Sequence, residues 1–270
     1  MNILITGASR GIGLAAAKRL CAKGHNVGLF DIDVPELGKA LKDKAFKKAI
    51  KSDCILHGHL DVTSPEDWDS AIEQMQDSFG GIDVLINNAG ILISGELPDT
   101  DLNKQLMLVD INCKGILIGT HKVAQVMAGN SGDRKADRDN GCKIINLSSA
   151  SAIYGQPEIA PYSASKFFVR GLTEGLNIEF ADRGIKVVDV MPLWVKTDMT
   201  QGVEVTSINR LGMHLTADDV AKTLFKIAVT PNRKISKVHY PVGLPAKVFE
   251  GLAQVTPSAI TRWMNEKIGS

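Results

Sequence analysis

The residues best able to do chemistry lie at Tyr162-Ser163-Ala164-Ser165-Lys166, where a phenol and an ammonium are spaced i,i+4 at the start of a helical run. That spacing puts both groups on one helix face, so they can serve one substrate. A phenol with an ordinary pKa of about 10 is a poor base at neutral pH, and a neighbouring cation favours its ionised form. Lowering it by roughly three units takes about 4 kcal/mol, which Lys166 and a second positive charge in a poorly solvated cleft could supply together. Tyr162 could then donate a proton to a carbonyl oxygen or remove one from an alcohol. A second candidate stands upstream: the apolar run Cys142 to Leu147 ends in Ser148-Ser149, placing a hydroxyl at the end of a strand. Taken singly, YxxxK on a helix is a frequent accident and paired serines are more often caps.

A glycine loop precedes both. Thr6-Gly7-Ala8-Ser9-Arg10-Gly11-Ile12-Gly13 falls between a short apolar strand and a helix, where free backbone N–H groups and the helix's positive end can hold a pyrophosphate. Asp31 ends the next strand, eighteen residues after Gly13, near the spacing at which a carboxylate accepts hydrogen bonds from the adenosine ribose. It would repel a 2'-phosphate, so NAD(H) is favoured as the cofactor, while Arg10 could reach a 2'-phosphate and keeps NADP(H) open. The bland alternatives are a structural turn for the loop, a cap or solvated strand end for Asp31, and a surface charge for Arg10.

These groups need a scaffold, and the pattern supplies one. Strand candidates at Ile3 to Ile5, Val27 to Phe30, Ile55 to Leu60, Val84 to Ile86, Ile144 to Leu147, Val187 to Val190 and Val238 to Tyr240 alternate with helical segments. The helices are expected at Ile12 to Lys23, Pro65 to Phe79, Leu102 to Met127, Ser163 to Arg183 and Ala217 to Val229, with a weaker one at Glu36 to Ile50. This alternation predicts an α/β fold, a Rossmann-type doubly wound parallel sheet of about seven strands in a single domain, with ligands at the strands' carboxyl ends. Residues 1–244 are expected to form the dinucleotide-binding and catalytic domain, and residues 245–270 a helical tail packed on it. Gly129 to Gly141 reads as an exposed polar loop.

Composition narrows the classes. The chain has 270 residues, 44% apolar and 23% charged, with a net charge of +1, a balance that argues against nucleic acid or an anionic membrane bound through bulk charge. The four cysteines show no metal-ligand spacing, so no metal site is expected and a reducing cytoplasm fits best. Neither a signal-peptide pattern nor a membrane-spanning run is present in the sequence.

With Thr6 to Gly13, Asn87-Asn88-Ala89-Gly90, Ser149 and Tyr162 to Lys166 in this order, the sequence resembles the short-chain dehydrogenase/reductase family over about its first 200 residues. The resemblance implies an oxidoreductase moving a hydride between a nicotinamide cofactor and an alcohol or ketone. It selects Ser149 over Ser148, because the family's serine precedes the tyrosine by about thirteen residues. It assigns Ser149 to orienting the substrate, Tyr162 to proton transfer, and Lys166 to lowering the tyrosine pKa while holding the nicotinamide ribose. Asn112 matches the asparagine that helps hold a relay water. Asp61 and Val62 match the pair at the adenine, and Asn88, Ala89 and Gly90 the segment beside the cofactor; without the family, this segment reads as an ordinary turn. Pro192, Val195 and Thr197 match nicotinamide contacts, although Leu193 stands where the family has glycine.

Residues from Asp198 to Leu215 occupy the family's substrate-loop region, and Trp194, Met199 and Met213 could line an apolar pocket. A hydrophobic or medium-sized substrate is therefore expected, since no arginine cluster awaits an anion. The resemblance further implies association through the helices at Leu102 to Met127 and Ser163 to Arg183, with a homodimer favoured and a tetramer as the alternative. Two other classes are considered: an NAD(P)-sensing or scaffold protein with little turnover, which the complete set of catalytic residues disfavours, and an isomerase or dehydratase, which usually carries a larger substrate domain.

Overall fold

The computed structural model describes residues 1–129, 141–253 and 266–267. Strands β1 (Asn2–Thr6), β2 (Asn26–Asp31), β3 (Ile55–His59), β4 (Val84–Asn87), β5 (Lys143–Leu147), β6 (Lys186–Pro192) and β9 (His239–Val242) form one sheet in the order β3-β2-β1-β4-β5-β6-β9. Every neighbouring pair is parallel. Runs such as Ile3-Leu4-Ile5 and Val84-Leu85-Ile86 are buried on both faces, as parallel strands covered by helices must be. Ile3 and Ile5 face one core, with Val27, Leu29, Val188 and Leu224, while Leu4 faces the other, with Phe30, Trp68, Met75 and Ile144. That split follows from the two-residue side-chain period of a strand.

The chain order reverses between β1 and β4, which opens a crevice at the carboxyl ends of those strands. Helix α1 (Gly11–Ala22) starts beside it. Helix α4 (Pro65–Phe79) has the expected bounds, set by Ser64, whose side chain accepts from Asp67 N–H, and by Gly80 at φ 76°. The segment expected as one helix from Glu36 to Ile50 is broken into α2 (Val34–Ala40), a 3-10 turn and α3 (Lys47–Lys51), because Asp43 caps the turn at Ala45.

The run from Leu102 to Met127 is interrupted too: α5 (Leu102–Val109) and α6 (Ile116–Gly129) flank a π-helical segment, Asp110–Gly115. Helix α7 (Ala160–Glu179) carries the tyrosine and lysine. The substrate-loop region holds α8 (Thr206–Leu211) and is bracketed by β7 (Val195–Lys196) and β8 (Leu215–Thr216), which pair in a small parallel ladder. Helix α9 (Ala217–Val229) has its expected bounds, set by a capping box between Thr216 and Asp219.

Helix α10 (Leu244–Ala253) buries Ala246 and reaches α7 through a bidentate Glu250–Arg170 pair at 3.1 and 3.2 Å. The polar stretch 130–140 and the tail positions Val255, Pro257, Ile260, Trp263, Met264 and Ile268 lie outside the described residues. Among the described residues no helix is long and apolar enough to cross a membrane, and no His/Cys/Asp/Glu cluster could hold a metal.

Candidate active site

The glycine loop is shaped by close approach to the segment after β4. Gly7 has φ 63°, and a Cβ on it would lie 2.9 Å from the Ala89 Cα; one on Gly13 would lie 2.3 Å from the Gly7 carbonyl oxygen. Asn88 Nδ2 donates to the carbonyls of Thr6 (3.0 Å) and Gly7 (2.8 Å), while Thr6 Oγ1 accepts from the N–H groups of Asn88 and Ala89. The Asn-Asn-Ala-Gly segment is thus a brace for the loop. Gly13 and Ser9 do not line the cleft, whereas Gly7, Arg10, Gly11 and Ile12 do. Gly13 lies behind the loop and lets α1 approach it.

These features fit a dinucleotide. Arg10 occupies the N-cap position of α1 without a capping side-chain bond, and the first turn has no acidic residue, so the helix's positive end is available to an anion. The buried Ser9 hydroxyl has no hydrogen-bond partner among the described residues. Beside the loop, Asp31 is almost fully buried and accepts from Ser9 N–H and Asp33 N–H, each at 2.9 Å. Arg10 pairs at 3.4 Å with Asp33, not with Asp31. Asp61, Val62 and Leu60 complete this end of a cleft of about 460 Å³.

At the other end, Ser149 caps a 3-10 turn (Ala150–Ala152), its hydroxyl accepting from Ser151 N–H at 3.2 Å. Burial pushes the nearby Tyr162 phenol up to about 12, and the Ser149 hydroxyl works against that rise. Lys166 Nζ donates to the Leu147 carbonyl at 2.8 Å and stands 5.5 Å from the Tyr162 ring centroid. Burial lowers the lysine to about 8, against Cys113 and Asp189, which favour its charge. The ammonium faces the ring and a carbonyl, and desolvation is the largest influence on the phenol.

Asn112 is fully buried in the π-helical segment and does not line the cleft. Its Nδ2 donates to the Ile91 carbonyl (2.9 Å) and to Ser165 Oγ (3.2 Å), and its Oδ1 accepts from Ile91 N–H (2.9 Å). The side chain joins the loop after Gly90 to α7. A Cβ on Gly90 would sit tightly against Asn112 Oδ1, at 3.1 Å.

Pro192, Val195 and Thr197 all line the cleft, as does Leu193, whose side chain joins an apolar cluster with Ile159 and Trp194. Met199 lines it as expected, whereas Met213 packs in the cluster behind. Leu92, Gln156 and Ile159 were not singled out from sequence. They come from irregular segments where no period or motif marks a lining residue. Also unanticipated is a part-buried pair: His239 Nδ1 and the buried Asp189 Oδ1 are 2.9 Å apart, and His239 Nε2 reaches the exposed Glu174 at 2.8 Å.

Residues 1–207 match the family model described as short chain dehydrogenase. The chain is 36% identical over 200 residues to a 3-alpha-(or 20-beta)-hydroxysteroid dehydrogenase of Mycobacterium tuberculosis, covering 74% of this chain and 71% of the relative. It is 35% identical over 204 residues to a trans-4-hydroxycyclohexanecarboxylate dehydrogenase of Sinomonas cyclohexanicum, covering 74% of each. Among solved structures, a 3-ketoacyl-(acyl-carrier-protein) reductase from Brucella melitensis complexed with NADH superimposes with a TM-score of 0.76 at 26% identity, covering 89% of this chain and 95% of that one.

Proposed function

The chain belongs to the short-chain dehydrogenase family, and from that premise we propose that it is an NAD(P)-dependent oxidoreductase interconverting a hydrophobic, medium-sized alcohol and its ketone. The observation that carries this reading is the meeting of Ser149, Tyr162 and Lys166 in the same cleft as the glycine loop. The bound nicotinamide supplies or accepts the hydride. Gly7, Gly11, Ile12 and the α1 N-terminus hold its pyrophosphate, Ser9 offers a hydroxyl beneath it, and Gly13 and the Asn88–Gly90 brace keep the loop in shape. Asp31 receives the adenosine ribose, which favours NAD(H) over NADP(H), and Asp61 and Val62 flank the adenine. Pro192, Val195, Thr197, Ala89 and Gly90 border the nicotinamide, with Lys166 at its ribose.

Ser149 donates a hydrogen bond to the substrate oxygen, and Tyr162 gives that oxygen a proton in reduction or removes one in oxidation. Lys166 contributes positive charge beside the phenol. Asn112 is a positioning residue that ties Ile91 to α7. Leu92, Ile159, Leu193, Trp194 and Met199 give the substrate end its apolar side chains, in keeping with the alicyclic substrates in the names of both relatives.

Exposed Leu102, Leu106 and Met107 on α5 and Phe167, Phe168 and Ile178 on α7 support a homodimer formed by these helices. The four cysteines are free thiols, which suits the expected cytoplasmic setting. A panel of cyclic alcohols and ketones, followed through absorbance of the reduced cofactor, tests the reading. Turnover is expected with NAD(H), and its absence across the panel would leave a cofactor-binding sensor or scaffold.

A further inference from the structure

The substrate end of the cleft mixes apolar side chains with a few polar ones, and among the polar ones Gln156 carries an amide that proton transfer does not use. Gln156 is 4% exposed, yet it lines the cleft. Its N–H donates to Ser163 Oγ at 3.3 Å, and that hydroxyl donates in turn to the Ser151 carbonyl at 2.6 Å. The backbone of Gln156 is thereby tied to the turn that carries Ser149 and to the first turn of α7. Its side-chain Oε1 accepts from Ser207 Oγ on α8 at 3.4 Å, while Nε2 makes no hydrogen bond among the described residues.

The neighbouring chain holds this arrangement from a second direction. Glu158 sits at φ 63°, a conformation a non-glycine residue adopts only when its surroundings enforce it. Its carboxylate accepts from Thr206 N–H at 2.6 Å and its carbonyl from Gly95 N–H at 2.7 Å. The segment 156–158 and the helix α8 therefore grip each other at two points, one of which turns the Gln156 amide so that its donor end remains for a ligand.

The amide donor is available at the cleft lining, where a ligand that displaces water must pair it or lose a hydrogen bond, and in a substrate cleft that ligand is substrate. We propose that Gln156 is a specificity-determining residue whose Nε2 donates to a second, neutral oxygen of the substrate. The preferred substrate is then an apolar ring alcohol or ketone bearing another oxygen acceptor away from the reacting carbon. A carboxylate is disfavoured there. The cations lining the cleft are Arg10, at the far end and paired with Asp33, and Lys166, bound to the Leu147 carbonyl. The inference rests on the reading that Tyr162 handles the first oxygen.

Two matched pairs of ketones test it: cyclohexane-1,4-dione against cyclohexanone, and 5α-androstane-3,17-dione against 5α-androstan-3-one. Dissociation constants are measured by calorimetry on the full chain saturated with NAD+, where a ketone cannot turn over, and kcat/KM is measured with NADH. In at least one pair the dione should bind about tenfold tighter than its monoketone, the worth of one well-placed neutral hydrogen bond. Gln156→Leu should erase that difference while keeping monoketone affinity within about twofold, and Ser207→Ala, which frees the amide without removing it, should erode part of it.

Equal affinity within both pairs for the wild type, a preference that survives Gln156→Leu, or no binding of any probe overturns the assignment. A Gln156-dependent preference in binding without any turnover would instead sink the hydride-transfer reading and leave the binding site standing.

Discussion

Replacing Lys166 with methionine removes the charge beside the phenol while keeping much of the buried stem. With the ammonium 5.5 Å from the ring centroid, Coulomb's law at an effective dielectric of about 20 gives about 3 kcal/mol, or about 2 pKa units on the phenol. The sign follows from the base role: alcohol oxidation needs the phenolate, so the rate rises with pH until Tyr162 ionises. Below about pH 8, where Lys166 carries its charge, loss of the cation leaves less phenolate and lowers the rate up to about 100-fold, an effect that shrinks as pH rises past that value. The assay is the pH dependence of kcat for a cyclic alcohol at saturating cofactor, with cofactor affinity measured separately by fluorescence, because Lys166 is also assigned to the ribose. In the wild type, burial holds Lys166 at about 8, so its charge fades as pH rises past that value in the free enzyme, and kcat/KM should flatten before the phenol alone would require. A rate that stays unchanged in that lower range in Lys166→Met while only cofactor affinity falls would refute the electrostatic role and leave the lysine as a binding residue.

Asp31→Ser should lower the preference for NADH over NADPH by about tenfold in kcat/KM, and an unchanged ratio would remove Asp31 from the ribose site. Gly13→Ala puts a methyl 2.3 Å from the Gly7 carbonyl oxygen and 2.6 Å from Asn88 Nδ2; denaturant unfolding should show a loss of about 1–3 kcal/mol, with weaker cofactor binding. Burial opposes protonation of His239, but the hydrogen bonds and charge of Asp189 and Glu174 raise its pKa above the usual value. The stability this pair contributes is therefore full below about pH 6.5 and lost as pH rises through the raised value. His239→Gln should cost about 3 kcal/mol at pH 6 by stranding buried Asp189, and less at pH 9, in the same unfolding assay.

The central strands were legible because they are short apolar runs, the pattern that burial on both faces demands, and α4 and α9 because Ser64, Gly80 and Thr216 mark their ends. The π-helical segment was not legible. Its apolar spacing continues α5 into α6, and what accompanies the departure is a set of tertiary bonds from Asn112 to Ile91 and Ser165. The β7–β8 ladder, at two residues per strand, is too short to leave a period. Spacing alone brought Tyr162 and Lys166 to one helix face, but the desolvation that raises the phenol depends on packing from distant segments. Gln156 and Ile159 lie in an irregular stretch whose register against α8 is set only in the folded chain.

The most direct measurement of the central claim follows a label. Cyclohexanone and larger cyclic ketones are reduced with NADH deuterated at the transferring position of the nicotinamide, and the alcohol is analysed by mass spectrometry and NMR. The account predicts one deuterium at the carbinol carbon with the wild type, with Tyr162→Phe at least about 100-fold slower and the label still at that carbon in whatever product forms. Alcohol without deuterium at that carbon, or undiminished reduction by Tyr162→Phe, would contradict it.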